Sequence, residues 1–477
     1  MKKGFCNFVK YLILTLLTIS SSVVLYYVNK LNILELRYFI LLCSIISLLW
    51  ILILFKLFRK KTRLFSKIIF GLIALILSFF YVFTIKYVQN TINFVENITS
   101  PIEYEIQKYS VLVLNDSNYN TINDLDKKSI GFVSLSNSLE DVNDKLKQSS
   151  NISFTSGRYN DVSEIIEAIT NRQVDAIVLE KSFVDSLDEN DYHLSGNTKT
   201  IYTFELKVKK EKSTQKVDVV NKPFILYISG SDSRESLYEN SRSDVNILAI
   251  INPKKHKLLL LSIPRDTYVQ LHNTVGTKDK LTHAGLYGVE MSKNTIEDFL
   301  NIDINYYAKV SFKTLINVVD VIGGIDLYSE KSFTAWTDKS CRFKTGINTV
   351  NGKCALAFSR ERYTYSTGDI HRGQNQQQVL TKIIQKLSDT SNLSKYDQIL
   401  SSVNGSFETD MTYDEITNLV KYQLNEFSSF KVESIGIIGN GKLLPTYSLG
   451  TKPLYVMIPD DNSILLAQAK IKEYMKD

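Results

Sequence analysis

Of the 56 basic residues in this 477-residue chain only 12 are arginine, and seven of those fall between Asn221 and Gln378: Arg234, Arg242, Arg265, Arg342, Arg360, Arg362 and Arg372. Lysine is the default cation elsewhere. Lysine serves solubility, whereas a guanidinium presents a planar fork that meets phosphate or carboxylate with paired hydrogen bonds. The same stretch carries Asp232, Asp244, Asp266 and Asp369. Acids that hold a divalent cation, ringed by guanidiniums, suit a diphosphate: the metal bridges phosphate oxygens and the arginines neutralise charge building on the leaving group. A structural ion-pair network accounts for any single Arg–Asp pair here. The whole set in one stretch points to a site. Other chemistries lack their residues. There is no GxSxG, no Ser/His/Asp or Cys/His grouping and no GxxxxGK[ST], and the five histidines are scattered without an HxxxH or CxxC pair, which leaves no case for a nucleophilic hydrolase, a P-loop or a zinc site.

Three apolar strands must position these groups: Phe224–Ser229, Val245–Ile251 and Lys257–Ile263. The turn Asn252-Pro253-Lys254-Lys255 makes a hairpin of the second and third. In an antiparallel hairpin the start of one strand lies beside the end of the next, so Arg242 and Asp244 fall next to Arg265 and Asp266. If the first strand runs alongside the third, Asp232 and Arg234 emerge at the same edge. Further on, Lys278–Gly288 is a loop-to-helix stretch carrying Lys280. Ser311 is the expected N-cap of a helix stopped by Gly323-Gly324. Asn351-Gly352 starts a helical turn delivering Arg360 and Arg362. Arg372 is expected to open the next helix, with Gln376 four residues on and on the same face, where free N–H groups favour anions. The tail from Thr412, helix, strand and helix, completes the same α/β fold.

Before this stretch come three uncharged apolar runs, Tyr11–Val28, Tyr38–Phe55 and Ile68–Ile85, each long enough for a transmembrane helix. Basic residues cluster before the first run and between the second and third. The positive-inside bias then predicts a cytoplasmic N-terminus, three spans and everything after about Lys86 outside the cell. Gln89–Ser110 reads as a polar linker. From Tyr109 to about Val208 short strands alternate with helices, as in one lobe of an extracytoplasmic solute-binding protein; a spacer or accessory module is the reading favoured over a ligand sensor. Lys209–Gln215 is a charged boundary. The expected division is therefore 1–90 membrane region, 91–215 linker and accessory α/β domain, and 216–477 site domain. The net charge of +6 gives no case for nucleic acid. Cys341 and Cys354 are close enough in sequence for a disulfide, worth about 3 kcal/mol for so short a loop, or else are two buried thiols.

The run GSDSR…RSDVNILAIINP…LLSIPRDTYV, followed by KLTHAG, VVDVIGGIDL, LAFSRERY and GDIHRGQNQQQVL, resembles the LytR-CpsA-Psr family of Gram-positive bacteria over about Lys222 to Leu387. Three spans and an accessory module most resemble its capsule-associated, CpsA-type members. The resemblance implies an α-β-α sandwich outside the cell, with a hydrophobic tunnel for a polyprenyl chain and a charged mouth for its diphosphate. It implies Mg²⁺ (or Mn²⁺) on Asp232 and Asp244, and phosphate oxygens gripped by Arg242, Arg265, Arg360, Arg362, Arg372 and Gln376. Asp232 or Asp266 is the implied base, and Val379 and Ile383 are expected in the lipid pocket. Many members carry a second arginine directly before the Gln pair of the last motif, whereas here Asn375 precedes Gln376-Gln377.

The expected activity is phosphotransfer of an undecaprenyl-pyrophosphate-linked glycopolymer, capsular polysaccharide, onto peptidoglycan, with capsule polymerase and kinase machinery as further partners and nucleic acid excluded. The alternatives are a polyprenyl-phosphate-binding regulator, sensor or transcription attenuator, and a lipid pyrophosphatase.

Overall fold

A computed structural model of the chain describes residues 2–99, 104–133, 139–189, 193–209, 216–231, 239–387, 395–403, 405–426 and 430–476. Asp232, Arg234 and most of the charged boundary after Lys209 lie outside the described residues.

Three helices, α1 (Lys2–Leu31), α2 (Leu36–Phe58) and α3 (Leu64–Thr99), are long and apolar enough to cross a membrane. Their backbone groups are satisfied within each helix, as a hydrocarbon environment demands. Side chains such as Phe65, Ile76 and Phe79 face outward while Leu17, Ile53, Leu57 and Ala74 pack between the helices. The expected polar linker is not a linker at its start. Thr91, Ile92, Val95 and Ile98 recur at helical spacing and are buried, so α3 continues to Thr99.

The next strand, β1 (Tyr104–Leu114), belongs to a five-stranded sheet with β2 (Ser129–Val133), β3 (Thr155–Tyr159), β4 (Ala176–Glu180) and β5 (Thr198–Lys209), in the order β3-β2-β4-β1-β5. One face is covered by α4 (Leu139–Ser150) through Val142 and Leu146. The other is covered by α5 (Val162–Thr170) and α6 (Lys181–Glu189). Asp161 caps α5, its carboxylate accepting from the Glu164 N–H at 2.9 Å.

The site domain is built on β6 (Phe224–Ser231), β7 (Ser243–Asn252) and β8 (Lys257–Ser262). The first strand pairs antiparallel with the second, not with the third: Ser231 lies opposite Ser243. Because β7 also pairs antiparallel with β8, the ends of β6 and β8 still meet the start of β7 at one rim. Past α7 (Val289–Leu300), β9 (Tyr306–Ser311) runs parallel to β6 and brings Ser311 to the same rim. Next come α8 (Phe312–Val321), α9 (Gly352–Ser359), α10 (Asp369–Leu387), α11 (Tyr396–Val403), β10 (Phe407–Thr409) and α12 (Tyr413–Glu426). The chain closes with β11 (Lys431–Gly436), the hairpin β12 (Gly439–Thr446) and β13 (Gly450–Pro459), and α13 (Asp461–Tyr474). The six-stranded order is β10-β9-β6-β7-β8-β11.

Side-chain alternation gives this sheet two apolar faces. Ile225, Tyr227, Leu248, Ile250, Leu259 and Leu261 pack on α7 and α13. Ile247, Ala249, Leu258 and Leu260 pack toward Leu380 and Ile384 of α10. Helices on both faces make an α-β-α sandwich. On the α10 side Leu226, Ile228, Val245 and Ile251 are only partly buried, so that face is less tightly covered than the other.

Candidate active site

The rim collects charge because each strand ends or begins there. Arg265 follows β8 and lies between two acids: its Nη1 is 3.0 Å from Asp244 Oδ1 and its Nε 3.5 Å from Asp266 Oδ2. Lys280 Nζ reaches Asp266 Oδ1 at 3.3 Å, and Thr282 Oγ1 donates to Asp244 Oδ1 at 3.3 Å. The loop carrying Lys280 is tied down by the Thr282 N–H, which donates to the Arg265 carbonyl at 2.8 Å. Gly285 follows it, and a Cβ there would come 2.5 Å from the Ser241 carbonyl oxygen. Only glycine lets the Lys280 loop lie against the start of β7.

Helix α10 delivers the second half. It begins at Asp369, three residues before the expected start, and the Arg372 N–H already bonds the Gly368 carbonyl. Arg372 is thus one turn inside the helix, its own N–H already bonded, as is that of Ile370 to the Thr367 carbonyl. Its guanidinium, not its backbone, serves an anion: Nη1 is 3.3 Å from Asp369 Oδ1, with the side chain buried. Arg362 Nη1 is 4.0 Å from the same oxygen and stacks 5.0 Å from the Tyr363 ring centroid. Gly373 lets α10 approach β8 closely, and buried Gln377 donates to the carbonyls of Leu260 at 2.9 Å and Ile435 at 2.6 Å. Gln376 is half-buried on the turn after Arg372.

Burial opposes charge on both Asp244 and Asp266, yet Arg265 leads a set of cations that holds each carboxylate below its ordinary range. Arg242 and Arg372 act on Asp244 with it. Asp369 behaves oppositely. Burial and the neighbouring Asp266 charge push its carboxyl up to about 6 against the pull of Arg372. One carboxyl is thereby poised near neutrality beside one that stays ionised, a pattern associated with acid–base work. Of the two bases expected, Asp266 is paired with Arg265 and Lys280, and Asp232 lies outside the described residues.

The remaining residues fall as follows. Arg360 caps α9 and lies 5.0 Å from the Phe312 ring centroid, at the β9 side of the rim. Asn375 is buried and donates to the Phe358 carbonyl at 3.1 Å. Asn375 therefore anchors the end of the helix that leads to Arg360 and Arg362. Val379 is fully buried against Val319, Leu327 and Phe358, with Ile383 packed beside it. The surface of α10 that meets the sheet is the adjacent one, with Leu380 and Ile384. Arg342 lies in a small hairpin with Thr334, apart from the rim. Cys341 and Cys354 form a disulfide that ties this hairpin to α9.

Two contributors were not among the expected site residues. Glu361 is buried and accepts from the N–H groups of Trp336, Tyr363 and Thr364 at 2.9, 2.9 and 3.1 Å, fixing the loop between Arg360 and Arg362. Its place between two arginines was the available signal. Tyr455, on β13, faces the cluster closely enough that, after burial, Asp369 and Asp266 raise its pKa.

Fold and rim together define an α-β-α domain with a buried cluster of arginines and carboxylates at one end of its sheet. The profile of the LytR_cpsA_psr family matches residues 191–460, and the chain belongs to that family. A curated relative, the polyisoprenyl-teichoic acid–peptidoglycan teichoic acid transferase TagU of Bacillus cereus, is 35% identical over 235 residues, covering 49% of this chain and 75% of TagU. The corresponding TagV of Bacillus subtilis is 32% identical over 266 residues, 54% of this chain and 66% of TagV. The crystal structure of B. subtilis TagV aligns with 31% identity and a TM-score of 0.46, covering 54% of this chain and 98% of that one.

Proposed function

We propose that the protein transfers a glycopolymer from a polyprenyl diphosphate carrier to peptidoglycan. The observation that carries this is the buried Asp244–Arg265–Asp266 and Asp369–Arg372 cluster at the rim of an apolar layer whose Leu226, Ile228 and Val245 stay partly accessible. A diphosphate fits the first and a prenyl tail the second. In the reaction an acceptor hydroxyl oxygen attacks the phosphorus on the sugar side. The new O–P bond forms, the bond to the bridging oxygen breaks, and prenyl phosphate leaves. Asp369 is placed to take the hydroxyl proton, and Arg265, Arg362 and Arg372 offset the charge moving onto the leaving phosphate. The tail lies between the sheet and α10, along Leu380 and Ile384 rather than Val379 and Ile383.

The proposed ion is Mg²⁺ or Mn²⁺. Among the described residues no three His, Cys, Asp or Glu side chains form a cage, and Mg²⁺ is commonly held by one or two carboxylates plus substrate phosphates. Asp244 and Asp232 would hold it, and the ion when bound would neutralise diphosphate oxygens. The TagU and TagV names point to teichoic acid, and the membrane helices with an accessory domain to capsular polysaccharide. Either is a prenyl-diphosphate-linked wall glycopolymer, and capsule polymerase and kinase machinery remain the proposed partners. A cytoplasmic N-terminus with the site outside the cell is the proposed topology, and the disulfide suits an oxidising compartment.

The test is transfer by the full chain in proteoliposomes from a prenyl-diphosphate-linked donor radiolabelled in its glycan. Label should become insoluble only when peptidoglycan is supplied. Label released as free phosphorylated glycan whether or not acceptor is present would replace transfer with hydrolysis.

A further inference from the structure

The accessory domain is fixed to the site domain rather than strung from it. Leu286, Leu449 and Leu454 of the site domain share one apolar cluster with α5, α6 and the accessory sheet. Ser163 Oγ donates to the Leu449 carbonyl at 3.1 Å and accepts from the Thr451 N–H at 3.2 Å. Between the two domains lies a cavity of 310 Å³, within the size range of preformed small-molecule sites.

Its lining has an apolar side, where rings sit among Val133, Val178, Leu179, Leu271 and Met291, and a smaller polar side. Tyr109, Phe183 and Tyr287 supply ring surfaces, and Gln107, Glu180 and Asn273 supply hydrogen-bonding groups. Phe183 and Tyr287, from different domains, meet edge to face with centroids 5.4 Å apart. Burial, with Glu105 nearby, pushes the Glu180 carboxyl up to about 8, so at neutral pH it donates as well as accepts. Among the described residues no lysine or arginine lines the cavity, and its histidine, His272, is paired with Asp298 at 2.7 Å, which disfavours phosphate, while the polar groups disfavour a prenyl chain. A pyranose ring matches both sides: its C–H face packs on aromatic rings, and its hydroxyls need partners that donate and accept.

We propose that this cleft binds a saccharide unit of a glycan chain handled at the active site, a reading that rests on the transferase function proposed above. The cleft is joined to the rim by hydrogen bonds. Tyr287 Oη is 3.1 Å from Ser448 Oγ, the Ser448 N–H donates to Asp279 Oδ2 at 2.8 Å, and the Lys280 N–H donates to Asp279 Oδ1 at 2.7 Å. The glycan has two sources, the acceptor strand and the donor polymer.

The experiment is saturation-transfer NMR on the full chain in detergent micelles, with two probes. Chitotriose represents the acceptor strand, and the oligosaccharide freed from the lipid-linked donor by mild acid represents the donor. Binding of either supports the cleft and names its source. Gln107→Ala and Glu180→Ala should each weaken it about tenfold, the worth of one well-made hydrogen bond, with melting temperature unchanged for at least one of them. Arg362→Ala should abolish transfer and leave this binding intact, so a failed transferase reading and a failed cleft give different results. Binding of neither probe, or binding indifferent to both cleft substitutions, overturns the proposal.

Discussion

Asp266 and Asp369 are held by different cations of one cluster: Arg265 and Lys280 pair with Asp266 and keep it ionised, while Asp369, 3.3 Å from Arg372, is pushed up to about 6 by burial and by Asp266. Each carboxyl sets the other's behaviour.

The pair predicts opposite pH dependences. Asp369 is raised above its unfolded value of about 3.9, so the stability it contributes is full below that value and is lost as pH rises through about 6. Asp266 is depressed, so its contribution is present above its unfolded pKa and lost only in strong acid. The melting temperature of the free protein should therefore fall between about pH 4 and 6, the interval between the unfolded and folded values of Asp369. Asp369→Asn should flatten that change. In kcat/KM, which reports the free enzyme, an acid limb near 6 should appear in the wild type and vanish with the residual activity of Asp369→Asn.

Arg265 and Arg362 should fail differently. Arg265 stands between two buried carboxylates, and its removal leaves buried charge unpaired, a loss of roughly 3–5 kcal/mol. Arg265→Ala is expected to lower the melting temperature as well as activity. Arg362 is one-third exposed and stacks on Tyr363. Arg362→Ala should leave thermal stability nearly unchanged while kcat/KM drops about a hundredfold or more, in line with phosphate-clamp arginines. Calorimetry beside initial rates separates the two cases. Equal stability of both variants would show that Arg265 is not the keystone of the acid cluster.

Local chemistry made much of this legible. Asp161, Ser311 and Asn351 cap their helices as their residue types suggest, each accepting from an N–H three residues on. The Pro253 hairpin turn stands where its turn residues put it. The arginines and acids of the rim were visible as a set because strand ends bring them together whichever strand pairs with β6. What stayed hidden depends on distant partners. The α3 extension looks polar because its buried side is a narrow stripe, Thr91, Ile92, Val95 and Ile98, set among polar residues. The start of α10 is decided by Gly368 and the Asp369 pairing with Arg372, not by propensity. The clamp between accessory and site domains runs through Ser163 and Leu449, residues with nothing in their neighbourhood of sequence to announce it.

Reduction of Cys341–Cys354 should loosen the arm that carries Arg360 and Arg362. The bond spans a sequence separation of 13, and closing so short a loop is worth about 3 kcal/mol. Treatment with a reductant, or a double Cys→Ser substitution, should lower the melting temperature and raise KM for the lipid-linked donor. The free thiol of Cys43, in a membrane helix, provides no alternative partner within the site domain. A variant with unchanged KM would confine the disulfide to a role in folding alone.

The outer end of α3 should act as a strut. Its 36 residues extend about 54 Å at 1.5 Å per residue, against a hydrocarbon core of about 30 Å. The excess carries the buried stripe Thr91, Ile92, Val95 and Ile98, and this part of the helix packs on α11, α12 and β10. Lys30 at the end of α1 pairs with Glu96 at 3.0 Å, and the Tyr413 hydroxyl at the start of α12 donates to the Leu31 carbonyl at 3.4 Å. Burial of this stripe, rather than a tether, then fixes the site domain over the membrane helices. Ile92→Asp combined with Val95→Asp places two carboxylates in that seam, where unpaired charge is strongly disfavoured. Limited proteolysis between Thr99 and Tyr104 should accelerate markedly in the variant, while the melting transition of the site domain stays in place. Transfer from a bilayer-embedded donor should fall more than transfer from a short-chain donor in solution. Cleavage at the wild-type rate would mean that the stripe does not hold the two parts together.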